Sequence, residues 1–125
     1  MIDTKTFEYE DSRWQDIVCH LQKSGFDVYS PGMKVGDCIS PYIVVKNDGS
    51  SKHASFSTDI DYYAIMCYVP RTAYSKLEPM VQSVKKAMKG LEPILLPYGM
   101  QSSSYYDDAF KAHMISIEYK NYKKI

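Results

Sequence analysis

The stretch "DYYAIMCYVPRTAYSKLEPM", residues 61–80, specifies the fold more sharply than any other part of the chain. Its first half divides by alternation into two uncharged faces: Tyr63, Ile65, Cys67 and Val69 on one, and Tyr62, Ala64, Met66 and Tyr68 on the other. Because strands with no charge on either face are usually covered on both sides, we predict a central strand here. Pro70 has no N–H to donate to a neighbouring strand and is expected to end it.

A helix is predicted directly after this strand. Ser75 is expected to cap the helix with Glu78 in the reciprocal position, and Pro79 falls in the first turn, where a missing N–H costs little. Apolar residues then recur at helical spacing: Leu77, Val81, Val84, Met88 and Leu91. This narrow seam predicts that one side of the helix packs on the sheet.

A second helix is predicted near the start of the chain. Ser12 and Gln15 have the spacing of a capping box, and Gly25 is expected to end the helix. Its predicted apolar face consists of Trp14, Ile17, Val18 and Leu21. A short strand is predicted at Val28 and Tyr29.

The remaining strands follow from β-branched or alternating runs. "PYIVVK", residues 41–46, is expected to stop at the turn sequence "NDG", and residues 50–58 to form a loop or a ragged strand start. "EPILLP", residues 92–97, is bracketed by prolines, which favours an edge strand, and residues 98–112 are expected to form a loop. "HMISIEYKNY", residues 113–122, is a half-buried strand. We therefore predict one α+β domain over residues 1–125, an antiparallel β-sheet with two main helices packed on one face.

Composition narrows the function. The formal net charge is zero, which argues against a protein that binds nucleic acid through bulk positive charge. Residues 1–69 carry six basic and ten acidic residues, whereas residues 70–125 carry nine and five, so the two parts have opposite charge. The chain also has 12 tyrosines against 4 phenylalanines, and the amphipathic tyrosine ring suits subunit interfaces. Such a dipolar chain is suited to head-to-tail contacts with copies of itself.

No catalytic, cofactor or metal site is predicted. The three cysteines have no framework spacing, which is typical of reduced thiols in a cytosol-like compartment. Cys19 and His20 are adjacent on a helix and point about 100° apart, so they cannot readily share a metal ion. The acidic, polar "MIDTKTFEYED" does not have the pattern of a signal peptide, and no apolar run approaches the ~20 residues that cross a bilayer.

Two interaction hypotheses can be set out from the residues. The aromatic strand could stack single-stranded bases, but this needs exposed rings beside basic residues, and Asp59 and Asp61 lie at its start. Separately, Lys85, Lys86 and Lys89 lie on the helix predicted after Pro70. They form either a solvated face or a docking surface for an acidic partner. The pair Asp107 and Asp108 is expected to cap or decorate a loop.

Three segments also resemble a known family: "SPYIVVKNDGS" (40–50), "YVPRTAYSKLEPMV" (68–81) and "KAHMISIEYKNY" (111–122). The chain from about Trp14 to Lys123 resembles the small minor capsid proteins in the head–tail modules of phages and prophages of Gram-positive bacteria, which are similar to phage tail terminator, or tail completion, proteins. The resemblance implies an α+β fold, no enzymatic activity and a structural role in the neck or tail of the virion, after assembly in the cytoplasm of the bacterial host.

The resemblance also implies partners. It implies a homo-oligomeric ring, expected to be a hexamer, that caps the tail tube protein and contacts the head-closure or connector protein. DNA is expected to pass through the lumen of the ring without sequence-specific binding, and no membrane is expected as a partner. The head-closure role is an alternative, as is a small nucleic-acid-binding module. Loops at residues 30–40, 48–58 and 98–109 are expected to meet neighbouring rings. The candidate interface residues are Tyr105, Tyr106, Asp107, Asp108, Lys85, Lys86 and Lys89.

Overall fold

A computed structural model describes residues 12–52 and 58–124, which form two helices and one six-stranded sheet. The elements in chain order are α1 (Arg13–Lys23), β1 (Val28–Tyr29), β2 (Tyr42–Lys52), β3 (Thr58–Pro70), a 3-10 helix (Arg71–Lys76), α2 (Leu77–Met88), a 3-10 turn (Lys89–Leu91), β4 (Leu95–Tyr98), β5 (Tyr105–Asp107) and β6 (Ala112–Lys124). The strand order is β1-β2-β3-β6-β4, and β5 also pairs with β6. The α+β class is confirmed.

The sheet is mixed, whereas the sequence led us to expect an antiparallel one. β1 runs parallel to β2, with Val28 opposite Ile43, and the other strand pairs are antiparallel. The reason is the connection: the long loop 30–41 carries the chain back before β2 starts, so that β1 and β2 run in the same direction.

The prediction that β3 is a central strand is confirmed. It lies between β2 and β6 and stays in register with β6 from Thr58 opposite Lys124 to Pro70 opposite Ala112. Both helices pack on the same face of the sheet, with α1 against β1 and β2 and α2 against β3 and β6. The main core lies between the helices and this face, and its fully buried side chains include Ile17, Leu21, Ile43, Ile65, Val69, Val81, Val84 and Met88.

The expectation that β3 is covered along both faces is only partly right. On the face opposite the helices, a smaller cluster covers the Tyr68 end of the strand, and it is formed by Cys38, Tyr42, Val44, Tyr68 and Ala112 with Phe110 packed against it. Towards the other end of β3 on this face, Tyr62 is only half-buried. Loops therefore cover one end of this face, and no helix in the described part of the chain packs on it.

The capping box of α1 is confirmed. The Gln15 N–H donates to the Ser12 hydroxyl at 3.2 Å, and the Ser12 N–H donates to Gln15 Oε1 at 2.6 Å. Gly25, just beyond the helix, has φ +99°, the left-handed conformation that favours glycine.

The predicted Ser75 cap of α2 is wrong. Residues 71–76 form a 3-10 helix, and the Leu77 N–H donates to the Tyr74 carbonyl, so the α-helix begins at Leu77 without a side-chain cap. The local 3-10 bond takes up a backbone donor that a capping side chain would otherwise satisfy. Pro79 does lie in the first turn, and the seam is confirmed, with Leu77 and the later seam residues Val81, Val84 and Met88 buried.

Three strand boundaries differ from prediction. β2 continues through "NDG" to Lys52, because Asn47 and Gly49 form a bulge: the Gly49 N–H donates to Asn47 Oδ1 at 2.8 Å, and Gly49 has φ +101°. The predicted loop 98–112 contains β5, and β4 spans Leu95–Tyr98. β4 pairs with β6 alone in the described residues, as an edge strand should, and β6 is half-buried as predicted. Residues 53–57 lie outside the described part.

Buried tyrosine hydroxyls and a buried cysteine thiol make the stability of the fold sensitive to alkaline pH. Burial raises the pKa of Tyr42, Cys67 and Tyr119 to about 12 each, from 10.0 for tyrosine and 9.0 for cysteine. Between those values the unfolded chain has released protons that the folded chain still holds, so stability falls as the pH rises.

We therefore expect the free energy of unfolding to be unchanged up to about pH 9 and to fall steadily as the pH approaches 12. Urea titrations at a series of alkaline pH values would measure this. The Tyr42→Phe variant, which lacks one of the ionising groups, should show a shallower fall between pH 10 and 12 than the parent. An equal slope in both proteins would contradict the assignment to Tyr42.

Candidate interaction surfaces

The described residues contain no group of three or more His, Cys, Asp or Glu side chains that could hold a metal ion. None of the helices described is long and apolar enough to cross a membrane.

His20 joins the two helices, since its Nε2–H donates to the Ala87 carbonyl at 2.6 Å. Cys19 is exposed, whereas Cys38 and Cys67 are buried. His53 lies outside the described residues.

The candidate loop residues Tyr105, Tyr106, Asp107 and Asp108 lie at β5 and the turn after it. The two rings are 54% and 37% exposed. Asp107 Oδ1 accepts the Ala109 N–H at 3.0 Å, and Asp108 forms an exposed ion pair with Lys111 at 2.9 Å, whose hydrogen bond lowers the pKa of Asp108. The carboxylates therefore organise the turn. The Tyr106 ring lies 5.1 Å from that of His113, so the more exposed Tyr105 ring is the better placed for contacts.

The predicted lysines do not all share one surface. Lys85 and Lys89 line a cavity between α2 and β4, which we call the slot, whereas Lys86 is exposed and does not line it. Lys85 Nζ donates to Gln101 Oε1 at 2.6 Å across this cavity. The structure therefore brings Lys85 and Lys89 together at the slot, apart from the four candidate residues at β5.

The slot has an apolar interior and a charged rim. Its volume is about 290 Å³, and Ile117, Tyr119, Pro97 and Tyr98 are among its lining residues. The charged residues that line it are Lys85, Lys89, Glu92 and Glu118. Burial, and then a hydrogen bond with Asp48, raises the pKa of Glu118. Nearby in sequence, Met100 is 90% exposed. This surface has the size and polarity of a pocket for one or two apolar side chains.

Three strongly exposed apolar side chains lie in the loop between β1 and β2, residues 30–41, which we call the apolar loop. Met33, Val35 and Ile39 are 64%, 84% and 86% exposed. The loop 30–40 was among the loops predicted to meet neighbouring rings, but these three side chains were not singled out, although three large apolar side chains in a loop rich in turn residues are a recognisable signal.

The apolar loop is held in place by its own contacts. The Met33 N–H donates to the Ser30 carbonyl at 3.2 Å, and the Cys38 N–H donates to the Phe110 carbonyl at 2.7 Å. Lys34 Nζ lies 4.8 Å from the centre of the Tyr29 ring and 5.2 Å from that of Tyr42, within the range of a cation–π contact. The loop is anchored at both ends and presents apolar side chains to solvent, which is typical of a protein-binding surface.

The open strand edges are protected against pairing with another strand. β2 carries the bulge at Asn47 and Gly49 on the half that β1 does not cover. On the other side of the sheet, β4 contains Pro97. Bulges and prolines at edges disfavour the addition of a further strand. Contacts with a partner are therefore expected to use side chains and loops.

The helix-free face of the sheet carries a cluster of tyrosines around a lysine. The Tyr62 and Tyr98 rings are 4.7 Å apart, and Lys120 Nζ lies 5.8 Å from the Tyr98 ring and 5.1 Å from that of Tyr122. Tyr68, at the other end of the strand, is stacked on Tyr42 and is only 7% exposed. Its ring is therefore not open to a nucleotide base, whereas Tyr98 and Tyr122 are 41% and 44% exposed.

In comparisons with known proteins, no family model matches this chain and no curated protein matches it significantly.

Proposed function

We propose that this protein is a structural subunit of a phage neck, a tail terminator that forms a ring, expected to be hexameric, between the tail tube and the head connector. The observation that carries the proposal is the anchored apolar loop, in which Val35 and Ile39 are 84% and 86% exposed. A side chain of this kind on a fixed loop is stabilised by burial against a protein partner, at about 25 cal/mol per Å² of apolar surface.

Three further features support an assembly role. The resemblance in sequence covers most of the chain, the free edges are protected against strand addition, and the two halves of the chain carry opposite charge. Heterologous contacts, in which two different surfaces of one chain meet, are the contacts that build rings, and charges of opposite sign favour them. In this proposal DNA passes through the lumen, and contacts with the tube and connector use the loops at the ends of the sheet.

The proposal is tested by deleting the gene from the phage or prophage that encodes it. Electron micrographs of the lysate should then show filled heads without tails and tails of abnormal length. Joined particles with tails of normal length in the deletion strain would overturn the proposal.

Complementation of that deletion tests the apolar loop directly. The Val35→Asp, Ile39→Asp double variant should fail to restore joined particles, since losing a central apolar contact weakens an interface by about 2 kcal/mol or more. A matched control is the Gln22→Asp, Ser83→Asp double variant, which adds the same two negative charges at exposed positions of α1 and α2. Full complementation by the double variant would contradict a role for the loop, provided that both proteins unfold at the same urea concentration as the parent.

A further inference from the structure

The apolar loop and the slot lie on different parts of the molecule. Ile39 borders a shallow depression with Pro70, Arg71 and Lys111, at the end of the sheet where β6 begins. The slot lies at Ile117 and neighbouring residues of the same strand. From Ala112 to Glu118 there are six residue steps of about 3.3 Å, so the two surfaces are about 20 Å apart along β6. The loop is therefore too far away to fill the slot of its own chain.

The two surfaces match in shape and polarity. The slot, at about 290 Å³, has room for a branched apolar side chain, and its interior includes Ile117 and Tyr119. Ile39 is 86% exposed and stands on an anchored loop, so inserting it requires little ordering of the chain.

The two surfaces also match in charge. Asp37 lies two residues before Ile39 and is exposed, and the rim of the slot carries Lys85 and Lys89. The loop also carries Lys34, and the rim carries Glu92 and Glu118. Lys34 Nζ lies over the Tyr29 and Tyr42 rings of its own chain, so the pairing that favours one orientation is that of Asp37 with the rim lysine Lys89.

We propose that the apolar loop of one copy inserts Ile39 into the slot of the next copy, so that copies of this chain join head to tail. The inference rests on the proposed ring and names the surfaces that hold neighbouring subunits together. A projection and a pocket on different surfaces of one chain make a heterologous contact, which closes into a ring or continues as a filament according to the rotation between copies.

Site-specific cross-linking tests this contact in the full-length protein. Cysteines are introduced at Ser40→Cys, next to Ile39, and at Met100→Cys, an exposed position between the slot residues Gly99 and Gln101, in a Cys19→Ser background that removes the exposed native thiol. With a short bifunctional maleimide at high protein concentration, the double variant should give a ladder of covalent multimers. An equal mixture of the two single variants should give dimers only, and each single variant alone should stay monomeric.

Two results would overturn the inference. Dimers from the Ser40→Cys variant alone would mean that loops meet loops across a two-fold axis, and the absence of any cross-link in the double variant would mean that the loop does not reach the slot. The native fold is verified in each case by the circular dichroism spectrum and by the urea midpoint.

A charge exchange adds a matched test of orientation. In the double-cysteine protein, Asp37→Lys and Lys89→Glu should each lower the yield of multimers severalfold, and the two together should restore it. Lys86→Glu is the control, since it makes the same change three residues earlier, in α2 and outside the slot, and should leave the yield unchanged. Failure of the combined variant to recover would exclude the pairing of these two charges and the orientation proposed.

These outcomes separate the contact from the neck role. A ladder together with normal particles in the deletion strain would remove the neck role and leave the contact between copies. Defective particles without a ladder would remove this contact and leave the neck role.

Discussion

Replacing Ile65 with alanine is expected to lower the free energy of unfolding by about 2–5 kcal/mol, the range for truncating a fully buried aliphatic side chain. Ile65 has no exposed surface and lies in the middle of β3, opposite Val45 on β2 and Ile117 on β6. The helices cover this face, so the cavity left by the truncation cannot be filled by solvent-exposed groups. Urea unfolding followed by circular dichroism measures the change.

The matched control is Ile60→Ala, the same substitution on the same strand at a half-buried position. Its loss should be about 1 kcal/mol, since less apolar surface returns to water. Equal losses at the two positions would mean that the core does not lie on the helix face of β3.

Gly90→Ala is expected to destabilise the protein by about 1–3 kcal/mol, the usual range for overpacking. An added Cβ at Gly90 would lie 2.9 Å from Cε1 and 3.0 Å from Nε2 of His20. The His20 ring cannot move away freely, because its hydrogen bond to the Ala87 carbonyl, at 2.6 Å, joins α1 to α2. Thermal or urea unfolding of the variant measures the loss.

A double-mutant cycle assigns the effect to this contact. The backbone at Gly90 is not left-handed, so without the histidine ring the extra methyl group should be neutral or stabilising, by about 0.4–1 kcal/mol. Gly90→Ala is therefore expected to cause no loss in a His20→Ala background. The same loss in both backgrounds would show that the ring is not the obstacle.

The proposed assembly role places different demands on the two faces of the sheet. The helix face buries the side chains that hold the domain together, such as Ile65, and at its β4 edge Ile117 and Tyr119 also line the slot. The surfaces left for partners are at the ends and edge: the apolar loop, the β5 turn and the slot. A rigid subunit with contacts at its margins suits a ring, since little conformational entropy is lost when copies join.

Much of the fold was predictable because its signals are local. The capping box at Ser12 and Gln15 and the left-handed Gly25 depend on atoms a few residues apart, and both are present as predicted. The helical seam of α2 and the alternation along β6 depend only on the repeat of the element, and these were also right. The wrong predictions concern signals that two structures share: Ser75 fits inside a 3-10 helix as readily as at the start of an α-helix, and "NDG" forms a bulge as readily as a turn.

For the candidate contact residues, the sequence shows which residue types are common at interfaces, but it does not show which of these residues lie next to one another in the folded protein. Tyr105, Lys85 and Lys89 are recognisable as interface-prone side chains, yet only folding brings the two lysines to the rim of an apolar cavity formed with β4 and β6. The exposure of Ile39 could not be read from the sequence either. Ile39 lies in the segment that follows the short strand β1, and an isoleucine there could belong to the core or to the surface.

The amino-acid order by itself determined the two helices and strands β1 to β4 and β6, where α1 starts, and that residues 62–69 of β3 carry no charge, because these follow from periodicity and from bonds between near neighbours. The tertiary structure alone decided that β1 pairs in parallel, that one face of β3 lacks a helix, and that the apolar loop and the slot are about 20 Å apart. These features depend on which distant segments pack together. That packing is determined by the apolar surface buried over the whole chain, which cannot be read from any short stretch of sequence.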